Sequence, residues 1–346
     1  MSTVTKHWVI KAANDIQAED FVAWQQIVAE QHSGNLMLSG TFISQLLQTF
    51  SKQHYLAIGY IGTEIRMMLV LQKRRAGIWE LAQLSQAQSA LVVGTLHEKP
   101  DLAALLQALP GLVLRLDFFC LDPLDHPALI DALKTHSLEE SMKNIRVNCT
   151  EAFSDYWQSR SKNLRKNINR YENRLISEGK EARFVFHTDP HAISCAVDRY
   201  GMLESRGWKG KNGTALHPCN LQGTFYQNYL TKLAENRQAL VVEFYLNDSL
   251  AASRLCCFNS EIFIILKTSY DEELRAFAPG RLLLKAVIQY VAQQKISALI
   301  DFYTHATEEQ IDWATDVRPM YNGSYYRFAL LKKLDLWLTS LKRRLQ

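Results

Sequence analysis

Ala278-Pro279-Gly280-Arg281-Leu282 opens an apolar run with helical spacing that continues to Gln294. The first amides of a helix lack intrahelical acceptors and stand at the positive end of its dipole, so a glycine there lets an anion approach them. The pattern predicts an anion site at Pro279 and Gly280 with the amides of Arg281 and Leu282, and Tyr270 ends the strand leading to it. Taken alone the pattern is weak, because proline also begins helices that bind nothing. Groups able to accept a proton stand at the ends of neighbouring elements: Glu204, Asp271, Asp301 and His305. Asp301 closes the apolar strand Ala298-Leu299-Ile300 and reads either as a general base or as a cap for the loop Tyr303-Thr304-His305.

Cysteine and metal chemistry have weaker support. The six cysteines, at 120, 149, 195, 219, 256 and 257, form no C-x-x-C pair and read as reduced thiols, with Cys256 and Cys257 inside an apolar strand as core. His187, His191 and Cys195 recur every four residues, but Asp189-Pro190 opens a helix that separates His187 from the other two, and no metal is expected.

Basic side chains are grouped more informatively than the net charge of +4 implies. Along the helix after residue 155, Trp157, Leu164, Ile168, Tyr171 and Leu175 share one face, which sets Lys162, Lys166 and Arg170 on the opposite one. That face is either a solvated surface or an electropositive rim for an anionic ligand. The loop Trp208-Lys209-Gly210-Lys211-Asn212-Gly213-Thr214 is too rich in glycine and charge for core. Its Trp208 reads as a loop anchor or as a surface for substrate, with Lys209 beside it. At the end of the chain Leu331, Leu334, Leu338, Leu341 and Leu345 share a helical face, and Lys332, Lys333, Lys342, Arg343 and Arg344 add charge. With Trp337 as an interface anchor, that helix either docks on its own domain or lies on an anionic membrane.

These residues need a scaffold, and 346 residues exceed the usual size of one core, so two domains are expected, 1–150 and 151–346. In the second, strands are read at 238–246, 250–258 and 262–270, then the Pro-Gly helix and the short strand 298–302. In the first, helices at 18–31, 41–50 and 102–109 and strands at 55–61, 64–73 and 112–119 echo that order without a comparable helix start. No segment approaches the roughly 20 apolar residues that span a bilayer, and Met1–His7 lacks the apolar stretch of a signal peptide. A soluble cytoplasmic protein is expected, with peripheral contact at the inner face of the membrane through 330–346.

Within residues 150–330, the segments Tyr156–Ile168 and Gly207–Leu216 join Ser269-Tyr270-Asp271, Pro279-Gly280 and Asp301-Phe302. This set resembles the GNAT acyltransferase superfamily, in particular its FemAB/CelD-like branch, whose members pair two GNAT-like domains. The resemblance implies an α/β fold of two such domains, each a mixed, mainly antiparallel sheet flanked by helices, the first degenerate. It implies an acyl-CoA-dependent N- or O-acyltransferase that transfers directly, without a covalent intermediate, to an amine or hydroxyl of an envelope, polysaccharide or other small-molecule or glycan acceptor. Acetyl-CoA or another acyl-CoA would bind at Tyr270, Pro279, Gly280, Arg281 and Leu282; Trp208, Lys209, Lys162, Lys166 and Arg170 would meet substrate; Asp301, His305 and Glu204 would be catalytic. Where many members carry a glycine-containing loop after the aspartate, this chain has Tyr303-Thr304-His305-Ala306-Thr307. Two other readings stay open: an aminoacyl-tRNA-dependent transferase, against which the lack of a long charged helical hairpin counts, and a non-catalytic component of a polysaccharide-synthesis complex. DNA is not an expected partner.

Overall fold

The computed structural model describes residues 7–32, 34–51, 53–87, 89–303 and 305–344. It resolves into two compact units, one of residues 1–143 with 319–346 and the other of residues 144–318. The first contains β1 (His7–Ala12), α1 (Ala18–Gln31), α2 (Gly40–Phe50), β2 (Tyr55–Ile61), β3 (Glu64–Arg75), β4 (Ile78–Leu81), β5 (Val92–Gly94), α3 (Leu102–Ala108), β6 (Arg115–Leu121) and α4 (Pro127–Leu133). β7 (Ser137–Asn148) then leads into the second, with α5 (Phe153–Ser159), α6 (Lys162–Ser177), β8 (Ala182–His187), α7 (Pro190–Arg206), α8 (Trp208–Lys211) and α9 (Leu221–Glu235). There follow β9 (Ala239–Leu246), β10 (Ser249–Phe258), β11 (Ile262–Tyr270), α10 (Pro279–Gln294), β12 (Leu299–Asp301), α11 (Glu308–Ile311), β13 (Asp316–Tyr326) and α12 (Ala329–Arg344).

Both units have the same sheet plan. In the first the order is β1-β2-β3-β4-β6-β13, with the β4/β6 pair parallel and the rest antiparallel, and β5 adds to β3. In the second it is β8-β9-β10-β11-β12-β7, with β11/β12 parallel and the rest antiparallel. The closing strands are exchanged: β7 follows β6 in the chain but its end pairs with β12, whereas β13 follows β12 but pairs with β6.

This exchange moves the domain limits. The expected second domain, 151–346, differs from the compact unit 144–318, because Tyr321–Tyr326 are hydrogen-bonded along β6. Ser324 also donates to Asp117 at 2.6 Å, and Arg115 pairs with Asp335 of α12 at 3.0 Å. The terminal helix therefore belongs to the first unit. On it Leu330, Leu334 and Trp337 are exposed, and Lys332 donates to the Thr135 carbonyl. The side chains of Leu338, Leu341, Lys342, Arg343 and Arg344, and residue Leu345, lie outside the described residues. Among the described residues no helix is long and apolar enough to cross a membrane.

In the second unit the alternation of side chains along the strands separates two layers. Leu240, Val242 and Phe244 of β9, Phe263 and Ile265 of β11 and Ile300 of β12 pack under α10, with Leu283 and Val287 as its inward stripe. The opposite face meets α7, where Arg199 reaches Glu243 of β9. Asp189 caps α7 through the amides of His191 and Ala192 with Pro190 in the first turn, as its sequence predicts. Ser161 caps α6 through the Leu164 amide.

Candidate active site

The start of α10 is half-buried and leaves one polar backbone group unengaged. Ala278, its N-cap, is held in the left-handed region at φ 48°, and its side chain offers no cap. Pro279 has no N–H, and the amides of Arg281 and Leu282 both donate back to the Ala278 carbonyl, at 3.0 and 3.2 Å. Those two amides, expected to receive an anion, are thus already engaged, and Leu282 is buried in the core. Gly280 is left as the first-turn amide that meets no acceptor among the described residues. A side chain there would point at the Tyr270 ring, whose nearest carbon lies 3.5 Å from the position of a Cβ. The Arg281 guanidinium pairs with Glu309.

Beside this helix start, β11 parts from β12. The parallel pairing covers Ile262–Ile264 against Leu299–Asp301, after which β12 ends while β11 runs on to Tyr270. Across β10 the register shifts, Leu255 facing Lys267 and Cys256 facing Ile265, so Leu266 is an extra, bulged residue. The result is a strand edge without a partner strand among the described residues, next to a pocket of about 370 Å³. Thr268, Tyr270, Gly280 and Trp313 line it together with Arg254, Arg275 and Arg281.

A smaller cavity of about 60 Å³ shares Thr268 and Tyr270 with the first and is walled by Glu204, Trp208, Lys209 and Glu272. Glu204 is 3% exposed, and its carboxylate accepts from Lys209 Nζ at 2.6 Å, the Leu216 amide at 2.7 Å and Tyr200 Oη at 3.0 Å. Burial pushes the Tyr200 phenol well up, which keeps it a proton donor to that carboxylate. Three donors make Glu204 the tie that folds the 207–216 loop onto α7, and not a free base. Trp208 is 58% exposed, so it does not anchor the loop; its amide donates to Glu272 Oε1 at 3.2 Å. Lys267 stands behind this cavity over the Tyr226 ring, and burial lowers its pKa.

Asp301 lies elsewhere. It is 2% exposed and accepts from Tyr303 N at 2.7 Å, Arg146 Nε at 2.8 Å, Arg318 Nη2 at 3.0 Å and Asn144 Nδ2 at 3.1 Å. Four donors, two of them guanidinium groups, occupy the lone pairs that a general base would use. The reading of Asp301 as a loop cap holds through Tyr303, and the catalytic reading does not fit its surroundings. Neither Asp301 nor His305 lines either cavity, whereas Glu204, Trp208, Lys209 and Tyr270 converge on one. Asp271 caps the turn Glu272–Phe277.

Lys162, Lys166 and Arg170 are exposed on α6, opposite the buried Leu164, Ile168 and Leu175. With Arg165, Asn169 and Asn173 they line an open groove of about 550 Å³. Tyr171 lies between that groove and the pocket: Arg170 donates to its hydroxyl at 3.3 Å, and it lines the pocket beside Arg281. Cys256 and Cys257 are fully buried, with burial pushing the Cys256 thiol up to about 12. His187 turns to Glu243 at 2.7 Å, and no group of three metal-ligating side chains occurs among the described residues. Arg254 and Thr268 were not expected at the site. A signal for Arg254 existed, since it is the one charged residue in the apolar run Leu250–Phe258.

Residues 162–310 match the acetyltransferase (GNAT) domain family. That segment holds the smaller cavity, the parted strands and all of the larger pocket's lining but Trp313. Over nearly its whole length the chain is similar in fold to the C-terminal domain of a putative lysylphosphatidylglycerol synthetase from Agrobacterium fabrum, with TM-score 0.57, 12% identity and coverage of 94% of this chain and 96% of that one. FemX is similar at TM-score 0.56 and 10% identity over 95% and 99% of the two chains. L-PGS from Bacillus licheniformis follows at 0.53 and 12% over 94% and 96%. At such identities the likeness is one of fold. A comparison with curated proteins found no match.

Proposed function

We propose that the chain is an acyl-CoA-dependent N- or O-acyltransferase that passes its acyl group directly to an amine or hydroxyl of a small-molecule or glycan acceptor of the cell envelope. The observation that supports this reading is the meeting, in one pocket, of an uncapped helix start and a strand edge left open by β12. The coenzyme diphosphate would lie at the Gly280 amide and the pantetheine arm along residues 265–270. The acceptor would enter by the smaller cavity, against the exposed indole of Trp208.

In the reaction the acceptor nitrogen or oxygen bonds to the thioester carbonyl carbon, the C–S bond breaks, and the coenzyme leaves as thiolate. The acceptor's proton needs a base. With Glu204 and Asp301 filled by donors, we assign that proton to Glu272, whose Oε1 holds the Trp208 amide and which walls the acceptor cavity. The exposed Leu330, Leu334 and Trp337 of α12, beside Lys333, support peripheral contact with an anionic membrane.

An aminoacyl-tRNA-dependent transferase is the second reading, and the open basic groove on α6 is the observation that favours it, since a polyanion needs such a surface. Calorimetric titration of the full chain with acetyl-CoA, and separately with charged tRNA, tells the two apart. Saturable one-to-one binding of acetyl-CoA at physiological salt is expected. Binding of charged tRNA with no heat from acetyl-CoA would replace the first reading by the second.

A further inference from the structure

Arg254 sits in the middle of β10 on the face covered by α10, and it is 6% exposed. Buried charges ordinarily face an opposite charge. Elsewhere in this unit that holds: Arg146 and Arg318 meet Asp301, and Arg199 meets Glu243. Arg254 has no carboxylate partner among the described residues. Its Nη2 donates to the Gly280 carbonyl at 3.3 Å, and its buried Nε meets no acceptor. Burial pulls its pKa down to about 10, so the guanidinium is still charged at neutral pH.

Arg254 and Gly280 line the same pocket, one from the sheet and one from the helix that covers it. Three arginines, 254, 275 and 281, and one carboxylate, Glu309, make up the charged lining, so the lining has an excess of two positive charges. A diphosphate ester carries about two negative charges and presents oxygens to which a planar guanidinium donates in pairs. We propose that Arg254 is the charge partner of a phosphate group of the ligand, which it holds jointly with the first amide of α10. Arg254 is thus a specificity residue that distinguishes phosphorylated from unphosphorylated pantetheine carriers; the identity of that phosphate as the coenzyme's rests on the acyl-CoA reading. A terminal phosphodiester of RNA offers the same chemistry.

The test compares the full chain with Arg254→Met, which keeps much of the volume without the charge, and Arg254→Lys, which keeps the charge without the fork. Calorimetry reads the binding of CoA and of pantetheine, which lacks the phosphates, and thermal melting is recorded without ligand. A charge-assisted hydrogen bond of the usual strength corresponds to about 10–100-fold in affinity. The parent should therefore prefer CoA to pantetheine by at least about tenfold. Arg254→Met should lower that preference about tenfold or more while binding pantetheine within about twofold of the parent, Arg254→Lys should fall between, and Arg254→Met should melt no lower than the parent. Loss of CoA and pantetheine affinity in equal measure, or CoA affinity unchanged in Arg254→Met, would overturn the assignment and leave the acyl-CoA reading standing. If the parent binds no CoA, that reading falls instead. Inorganic diphosphate then decides: a thermal shift in the parent that is absent from Arg254→Met keeps the phosphate receptor, with an RNA acceptor stem as the alternative source, and equal shifts or none remove it.

Discussion

A carboxylate can take a proton only through a lone pair that no other donor holds. Asp301 and Glu272 differ in this respect. Asp301 binds Arg146 and Arg318, whose side chains are 15% and 8% exposed, so removing its charge takes the shared counter-charge from two largely buried cations. Asp301→Asn should destabilise the second unit by about 3–5 kcal/mol, read as a lower denaturant midpoint, with CoA affinity of the folded fraction unchanged. Glu272→Gln removes one exposed charge while its amide oxygen can still accept from the Trp208 amide, and it should leave the melting temperature within about a degree. It should lower turnover by about 10²–10⁴-fold if it takes the acceptor's proton. The reverse pattern, a stable but inactive Asp301→Asn and a fully active Glu272→Gln, would exchange the two roles.

At the scale of elements, α6 is a helix with two separable faces. Leu164, Ile168 and Leu175 hold it to the core, while Lys162, Lys166 and Arg170 contribute exposed charge. Replacing those three by glutamate should weaken anionic ligand binding about tenfold or more at low ionic strength, and much less once the screening length falls to a few ångströms near 1 M salt. Melting temperature should barely change; a large thermal loss with unaltered affinity would make the face structural. The faces of α6 and the span of α10 were legible in the sequence because helical periodicity and a Pro-Gly start are local signals, although Trp157, read on the same helix, stands on α5 across the break at Arg160 and Ser161. β11 was legible for the same reason, its limits Ile262–Tyr270 set by an apolar run between polar turns. The surroundings of Asp301 were not, since Arg146 lies 155 residues away and only the closed sheet brings it to 2.8 Å. Glu204 was read as a base because two of its three donors, Lys209 and the Leu216 amide, come from a loop whose fold no periodicity encodes.

For the whole molecule, the exchange of β7 and β13 makes the strands β6 and β12 each depend on a partner from a distant part of the chain. A fragment of residues 151–346 lacks β7, whose Ile145 and Val147 are fully buried in the core under α10, and it carries β13, whose partner β6 it lacks. Such a fragment should be largely insoluble or should bind a hydrophobic dye strongly, whereas co-expressed 1–150 should restore a soluble complex by supplying both missing partners. A fragment that folds and binds CoA alone would show that the exchanged strands contribute little. The same exchange also sets an order in time. As the chain leaves the ribosome, β6 is made early, but the strand that covers its edge comes about two hundred positions later, Ser324 reaching Asp117 across 207 residues. Until then β6 presents an open row of amides and carbonyls, the kind of edge that recruits a neighbouring chain. Slower synthesis of residues 150–320 lengthens that exposure, so the yield of native protein should depend on translation speed and on chaperones that shield nascent strands more than the stability of the finished molecule would suggest.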